Sequence, residues 1–221
     1  MSAKSVSRWT VKAAVEICGE LSNPEKMPGY AYGLPADECI TGSKLAKIPG
    51  TICHICYAKK GFYKVFEYVV KPAHYKHFAA INHPHWVAAM VHLIRRRCRN
   101  VPYFRWHDSG DLQSVKHLAD IVEICRQLPN VNFWLPTREY FIVNEYRRTV
   151  GEFPSNLVVR LSTAKVDQVH PTGFGLPTSG AHTHEAPKGC WSCPARLQGN
   201  ACGDCRACWD PEVMRVSYPV H

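Results

Sequence analysis

The chain has 221 residues, of which 46% are hydrophobic and 20% charged, so it is not intrinsically disordered and fits one domain or one domain with an appendage. Its formal net charge of +9 suits nucleic acid or another phosphate-bearing partner, although its densest source, residues 95–99, also fits a solvated helix end. No apolar run reaches membrane-helix length and no apolar block stands at the start, which predicts a cytoplasmic protein without a membrane partner.

Short hydrophobic strands alternate with amphipathic helices through the middle of the chain. The pattern predicts strands at residues 30–33, 101–106, 131–135 and 156–162, and helices at 83–98, 112–128 and 138–148. Pro136 is expected to end the third strand. Such alternation is typical of parallel βα units. Because a closed eight-stranded barrel needs roughly 250 residues, we expect an α/β fold built as a partial, open parallel βα barrel.

The last quarter of the chain has a different composition. Residues 170–189 are rich in glycine and proline, which is typical of a long loop, and five cysteines follow them. We therefore expect residues 1–170 to form the βα domain, with a cysteine-containing loop near its first strand. Residues 171–221 are expected to form a loop and a cysteine-rich, cluster-binding extension.

Polar residues follow three successive predicted strands. They are His107, Asp108, Ser109, Gly110 and Asp111 after the strand at 101–106, Arg138 in "PTRE" after the strand at 131–135, and Arg160 in "RLST" at the end of the strand at 156–162. Ligands of parallel α/β folds bind at the carboxyl ends of the strands, so these residues predict a shared polar site. His107 and Asp108 are expected to face it, the alternative being a hydrogen-bonded pair within the loop. Asp111 is also the predicted N-cap of the helix at 112–128.

Cysteine is over-represented, with 11 residues in a chain that lacks an export signal, and clustered cysteines of a reducing compartment more often bind metal than form disulfides. Three lie on apolar stripes or alone and are predicted core residues: Cys18, Cys98 and Cys125. The other eight fall into two groups. The first group is Cys39, Cys53 and Cys56, and the second is Cys190, Cys193, Cys202, Cys205 and Cys208.

The spacing within the second group indicates which metal it would bind. Two Cys-Xaa-Xaa-Cys hooks could hold zinc. The run "CGDCRAC", however, places three cysteines at three-residue intervals, as in loops that hold [4Fe–4S] clusters, with Cys193 as the simplest fourth ligand. This favours iron–sulfur over zinc. The total of eight cysteines in the two groups leaves two alternatives open. Either two clusters have four thiolates each, or the first cluster has three thiolates and one cysteine of the second group is spare. A cluster with three thiolates leaves one iron open to a small molecule.

Cys39, the stretch "CHICYA" and the βα units after it resemble the radical-SAM superfamily. The resemblance implies a [4Fe–4S] cluster on Cys39, Cys53 and Cys56, here with thirteen residues between the first two and with the aromatic Tyr57 after the last. It implies that the open iron binds S-adenosylmethionine, whose one-electron cleavage yields a 5′-deoxyadenosyl radical. It also implies that "SGD", Ser109 to Asp111, contacts the methionine amino group, that Arg138 or Arg160 pairs with its carboxylate, and that the second group holds an auxiliary cluster.

The combination of "CHICYAKKGFY", "FRWHDSGDLQS", "FWLPTRE" and "CGDCRACW" also resembles a family of small bacteriophage proteins, from Cys39 to the end of the chain. That resemblance implies the cytoplasm of a bacterial host and little about activity.

Three functional hypotheses follow. The first is a radical-SAM-like enzyme that uses His107, Asp108 and Arg138 on a small-molecule or nucleotide substrate, with an electron donor as partner. The second is a non-radical iron–sulfur protein, and the third is a zinc-dependent module that binds nucleic acid.

Overall fold

A single parallel sheet of seven strands organises the computed structural model, which describes residues 9–171 and 174–220. The predicted βα domain also includes residues 1–8, and the predicted C-terminal extension also includes residues 172–173 and 221. These residues lie outside the described ones. The strand order is β1-β2-β3-β4-β5-β7-β6, and the two edge strands do not pair with each other. The strands are β1 Tyr30–Tyr32, β2 Tyr103–Trp106, β3 Asn132–Thr137, β4 Leu157–Ser162, β5 Thr178–His182, β6 Trp191–Ser192 and β7 Arg215–Pro219. The α/β class is confirmed.

Seven α-helices accompany the sheet in the described residues, and the last three confirm the predicted helices. They are α1 Val11–Cys18, α2 Ile40–Leu45, α3 Gly61–Val65, α4 Glu67–Ala80, α5 Trp86–Arg97, α6 Val115–Gln127 and α7 Tyr140–Thr149. The first five strands lie in chain order. Right-handed crossovers between strands in chain order leave every connecting helix on the same face of the sheet. None of the described helices combines the length and apolar character needed to cross a membrane.

The two faces of the sheet carry different side chains because successive strand residues point in opposite directions. In β2, Phe104 and Trp106 are completely buried in the main core with α1, α5, α6 and α7. Cys18, Cys98 and Cys125 lie in that core, as predicted. On the opposite face, Trp134 packs with residues of the C-terminal tail in a second, smaller core. The helices therefore cover one face, and the tail covers the other.

Pro136 does not end β3, which continues to Thr137 in register with β4. In this strand Asn132 donates its backbone N–H to Pro102 on the β2 side, and Phe133 donates to Asn156 on the β4 side. The alternation places the missing N–H of Pro136 on the β2 side. The β2 register stops at Trp134, so the proline removes no ladder hydrogen bond.

The predicted loop at 170–189 contains a strand of the sheet. β5 pairs with β4 on one side and with β7 on the other, and β6 extends the sheet beyond β7. The sequence "TSGAH" of β5 lacks large apolar residues, yet the strand is mostly buried. Its small side chains pack in hydrogen-bonded pairs, such as the Ser179 hydroxyl with the Ser162 hydroxyl at 3.0 Å. The prediction of a structureless loop was wrong because a buried polar strand carries no hydrophobic alternation.

Candidate metal centre

Two cysteines of the first group lie against one glycine of α2, and the charge of the third acts on both. A Cβ atom placed on Gly42 would lie 3.5 Å from the Sγ atom of Cys39 and 3.5 Å from that of Cys53. Burial raises the pKa of the Cys39 thiol, and negative charge on Cys56 and Cys53 raises it further. Residues separated by up to 17 positions therefore form one cluster, which we call the first thiol group.

Loops after β3 and β4 hold the segments that carry these cysteines. The buried carboxylate of Glu139, after β3, accepts hydrogen bonds from the Thr41 backbone N–H at 2.7 Å and from the Thr41 hydroxyl at 2.8 Å, at the start of α2. After β4, the Ala164 carbonyl accepts a hydrogen bond from the Ile52 N–H at 2.9 Å. The first thiol group thus lies at the carboxyl edge of the sheet, where parallel α/β folds bind ligands.

Asp111 joins the loops after β2 and β3 and does not cap α6. Its Oδ1 accepts hydrogen bonds from Leu112 N at 2.8 Å and from the Thr137 hydroxyl at 2.5 Å, and its Oδ2 accepts from Arg138 N at 2.9 Å. Burial raises the pKa of this carboxyl to about 6 despite these donors. The N-cap of α6 is Ser114. The N-cap prediction for Asp111 was therefore wrong.

Ser109 and Gly110 bring the loops after β1 and β2 into contact. The Ser109 carbonyl accepts a hydrogen bond from the Leu34 N–H at 2.7 Å. Gly110 has a φ of +79° and approaches so closely that an added Cβ would lie 2.5 Å from the Leu34 Cβ. The observed role of "SGD" in the described residues is loop closure beside the first thiol group.

His107 lies in the helix layer, which differs from the predicted position facing the site. It has a φ of +57° and is 2% exposed. Its ring centroid lies 5.4 Å from that of His117 in α6, and neither ring nitrogen of His107 has a hydrogen-bond partner among the described residues. Burial holds the pKa of His107 well below its usual range and lowers the pKa of His117 to about 3. Both imidazoles are therefore neutral at pH 7.

Asp108 is nearly buried beside the segment that follows Cys56. Its Oδ2 accepts a hydrogen bond from the Ser22 hydroxyl at 2.8 Å. Its backbone carbonyl accepts from the hydroxyls of Tyr57 and Tyr63. Tyr57 therefore anchors the end of the first thiol group to the loop after β2.

Arg105 is a residue that sequence reasoning missed, and it lies between the two cysteine groups. Its Nη2 donates to the Tyr57 hydroxyl at 2.9 Å, and its guanidinium carbon lies 4.5 Å from the Trp134 ring centroid. Its charge also lowers the pKa of Cys202 and of Cys208, against the larger effect of burial. The signal was available in "YFRW", where a lone charge alternates with aromatic residues and must face away from the core.

Four of the five C-terminal cysteines form a second thiol group: Cys193, Cys202, Cys205 and Cys208. Burial is the main cause that raises the pKa of Cys193, and Cys205 raises it further. Charge on Cys193 likewise raises the pKa of Cys202 and of Cys208. The Cys208 thiol also lies 3.3 Å from the Tyr218 hydroxyl.

Cys190 differs from those four thiols in the charges around it. Burial raises the pKa of its thiol, and the charge that acts on it among the described residues is Arg215 rather than another cysteine. We therefore leave Cys190 outside the second thiol group.

Arg160 holds the tail and is not open to a ligand carboxylate. Its guanidinium has five N–H donors, and they reach five backbone carbonyls at 2.7–3.4 Å. Four of these carbonyls belong to the tail and one to β5: Ala207, Cys208, Asp210, Val213 and Thr178. The residue is completely buried. Its predicted pairing with a bound carboxylate disagrees with this geometry, because no donor remains.

In the described part of the chain, no three Cys, His, Asp or Glu side chains stand close enough together to hold a single metal ion. A cubane cluster makes a different demand, because each thiolate binds its own iron and the sulfurs stay further apart. The space that Gly42 leaves between two thiols, and the exclusively thiol donors of both groups, fit such a cluster.

Comparison with known proteins gives one match. A family model described as GP88, gene product 88, matches residues 4–211. This match fits the predicted resemblance to a family of small phage proteins. No curated protein and no solved structure matches the chain significantly.

Proposed function

The chain belongs to the gene product 88 family, and we propose that it is an iron–sulfur protein that works as a radical-SAM-like enzyme. The observation that carries the proposal is the grouping of Cys39 and Cys53 around Gly42 at the carboxyl edge of a parallel sheet, with Cys56 close enough for its charge to raise the pKa of both thiols. Three thiol donors at that edge, with a guanidinium beside them, are the arrangement that such an enzyme requires. The substrate remains a small molecule or a nucleotide.

The first thiol group would hold a [4Fe–4S] cluster. When bound, a cluster with three protein thiolates supplies one iron with an open coordination position and one-electron reduction. S-adenosylmethionine is the proposed ligand of that position. The supporting feature of the chain is that Glu139 holds the start of α2, the helix whose Gly42 lies between two of the thiols.

Arg138 is the guanidinium best placed to bind a ligand carboxylate. Its Nε donates to the Thr163 carbonyl at 3.1 Å, and its two terminal nitrogens have no partner among the described residues. Its positive charge lowers the pKa of Cys53, although burial raises that pKa overall. A half-buried guanidinium with a free edge matches a carboxylate in a bidentate way. Arg138 therefore orients the ligand, while Asp111 fixes the Arg138 backbone.

The second thiol group would hold an auxiliary cluster on four thiolates, which suits electron transfer. Arg105 links the surroundings of the two groups, because it donates to Tyr57 next to Cys56, stacks on Trp134 and carries a charge that acts on Cys208. An external electron donor is the partner that this role implies.

The remaining parts of the proposal concern fold and location. Strands in chain order with helices on one face support a partial, open βα barrel whose inner face is lined by the tail. We place the protein in the cytoplasm, of a bacterial host if a phage encodes it, where thiols stay reduced.

The decisive experiment measures iron and sulfide per chain in anaerobically purified protein and records EPR spectra of the reduced protein before and after S-adenosylmethionine is added. We expect the spectrum to change on addition and S-adenosylmethionine to be cleaved. Cys53→Ala or Cys56→Ala should remove about one cluster's iron. Cys125→Ala and Cys190→Ala should leave it intact. Equal iron loss in all four variants would contradict the assignment of ligands.

A second candidate, a non-radical iron–sulfur protein, is favoured by the complete four-thiol set of the second group. Brown protein whose EPR spectrum ignores S-adenosylmethionine would support it over the enzyme. Colourless protein with stoichiometric zinc would instead support a zinc-dependent module that binds nucleic acid.

A further inference from the structure

The segment from Tyr57 to Lys76 concentrates positive charge. It contains five lysines and one glutamate, a net charge of +4 out of +9 for the whole chain. It includes α3 and α4, and of the fourteen residues of α4 only His74, His77 and Ala80 are buried. Most of this helix therefore faces outward, with its charges available to a partner.

Aromatic and lysine side chains share one stripe of α4. Tyr68 is 75% exposed, Tyr75 is 37% exposed, and Lys71 lies between them at helical spacing. A rise of about 1.5 Å per residue separates the two tyrosines by roughly 10 Å along the axis. Val69, 58% exposed, and Val65, 65% exposed, lie nearby without cover. We call Lys64, Tyr68, Lys71 and Tyr75 the α3–α4 face.

The α3–α4 face borders a cavity that is lined in part by the segment after Cys56. Lys64 and Lys71 line both an open groove of about 620 Å³ with Tyr68 and Tyr75, and a deeper cavity of about 220 Å³. The deeper cavity is also lined by Ser109 of the loop after β2 and by Lys59, three residues after Cys56. A chain molecule lying on the face would therefore reach the edge of the sheet.

Acidic residues accompany the lysines of this face. Lys64 pairs with Glu67 at 2.5 Å, Lys71 pairs with Glu67 and with Asp37 at 3.7 Å each, and the Tyr75 hydroxyl donates to Glu38 at 3.1 Å; the side chains of these ion pairs are 42% exposed or more. Exposed pairs of this kind contribute about 0–1 kcal/mol, so phosphate groups can compete for the same ammonium groups.

We propose that the α3–α4 face binds single-stranded nucleic acid and directs it into the cavity beside the first thiol group. Tyr68 and Tyr75 stack on unpaired bases, and Lys64 and Lys71 contact phosphates, as in stacking platforms for single strands. A duplex offers no free base faces to these rings. A membrane is a poorer partner, because membrane-surface helices keep apolar and basic residues on opposite faces, and here both occupy one stripe.

This inference names the substrate class of the proposed enzyme, but binding itself rests on α3 and α4 and requires no cluster. The full-length protein is titrated into fluorescein-labelled oligo-dT and oligo-U of twelve nucleotides, and anisotropy is followed at several salt concentrations. We expect Tyr68→Ala to weaken binding by about tenfold, since stacking on one base contributes roughly 1–3 kcal/mol. We expect Lys71→Ala to reduce the slope of log affinity against log salt by about 1.

Matched controls lie elsewhere on the surface. Phe141→Ala removes an aromatic side chain that is 77% exposed, and Lys116→Ala removes a lysine that is 69% exposed. Both should leave binding unchanged. The inference is overturned if neither oligonucleotide binds, or if the controls weaken binding as much as Tyr68→Ala does. It is also overturned if Tyr68→Ala abolishes binding to phosphatidylserine vesicles and leaves oligonucleotide binding intact.

The two proposals can fail separately. Protein that binds oligonucleotides as expected, but whose EPR spectrum ignores S-adenosylmethionine, would contradict the enzyme and keep the interface. Protein that cleaves S-adenosylmethionine but ignores both oligonucleotides would do the reverse.

Discussion

The two thiol groups sit on the same sheet and are held in opposite ways. The first lies at the carboxyl edge on short loops, which are tied by single side chains such as Glu139 to Thr41. The second lies against a face of the sheet on a tail that Arg160 grips through four of its backbone carbonyls. The first group is thus held by hydrogen bonds to loops at the sheet edge, and the second by one completely buried guanidinium.

The largest expected effect on stability tests the hydrogen bonds by which Arg160 holds the C-terminal tail. Arg160→Met should lower the free energy of unfolding by about 4 kcal/mol, because buried carbonyls lose charged donors and no water replaces them. Urea denaturation measures the change, and limited proteolysis should show early cleavage between residues 190 and 214. Arg148→Met, at an arginine that is 71% exposed, is the matched control and should change stability little. A small effect of Arg160→Met would break the comparison.

The second prediction concerns how the free energy of unfolding depends on pH. The pKa of His117 is about 3 in the folded protein and 6.5 in a free side chain, so the unfolded chain binds more protons between these values. The free energy of unfolding should therefore fall as the pH drops below 6.5, by about 2 kcal/mol at pH 5. His117→Gln should reduce this dependence and leave the part that belongs to His107, whereas His83→Gln, at an exposed histidine, should not change it.

The two thiol groups should also differ in the pH at which they release iron. His107 begins the loop that reaches Asp111 beside the first thiol group, whereas the carbonyls gripped by Arg160 do not titrate. We expect iron of the first group to be released at a higher pH than iron of the second, followed by EPR. Simultaneous release would mean that the groups share one support.

A smaller effect tests the support of the first group. Glu139→Gln replaces one acceptor oxygen with an amide nitrogen that cannot accept from Thr41, and should cost about 1–2 kcal/mol. Iron of the first group should be lost more readily and iron of the second should not. Glu145→Gln, in helix α7 that follows Glu139, removes a carboxylate that pairs with the exposed Arg148 and serves as the control. Loss of iron from both groups in Glu139→Gln would argue against separate supports.

The smallest change in stability is expected for Gly42→Ala. Alanine in a helix gains up to about 1 kcal/mol over glycine, and this gain offsets the crowding of a Cβ that would lie 2.9 Å from the Cys39 Cβ. Stability should change little, yet the iron content of the first group should fall because the thiols are pushed apart. Lys44→Ala changes the same helix away from the thiols and should retain iron. Unchanged iron in Gly42→Ala would mean that the glycine is not part of the site.

Much of the fold could be predicted from the sequence, and the failures share a cause. Helices α5 to α7 and strands β2 to β4 carry clear periodic patterns, so these elements were predicted, and only their end residues differ between the prediction and the structure. Strand β5 was missed because its buried residues are small and polar. Pro136 was misjudged because the number of residues in register with the neighbouring strand decides whether a missing N–H matters.

The site was predicted less evenly. The placing of Cys18, Cys98 and Cys125 in the core agrees with the structure, whereas spacing put Cys190 in the second group although no other cysteine in the described part of the chain acts on its thiol. The roles of His107 and Arg160 differed from the structure, since both follow or end a strand and sequence cannot tell which face a side chain takes at that point. Arg105 was overlooked because it stands inside a strand.

The sequence by itself determined the residue types that can bind metal, the parallel α/β class and the placement of polar residues after strands, since these follow from spacing and periodicity along the chain. Only the tertiary structure decided which cysteine stands apart, which arginine stays free and which face of the sheet the tail covers. Those choices depend on hydrogen bonds between residues far apart in the chain, such as Trp209 with the carbonyl of Phe104, 105 positions away, and no local pattern encodes them.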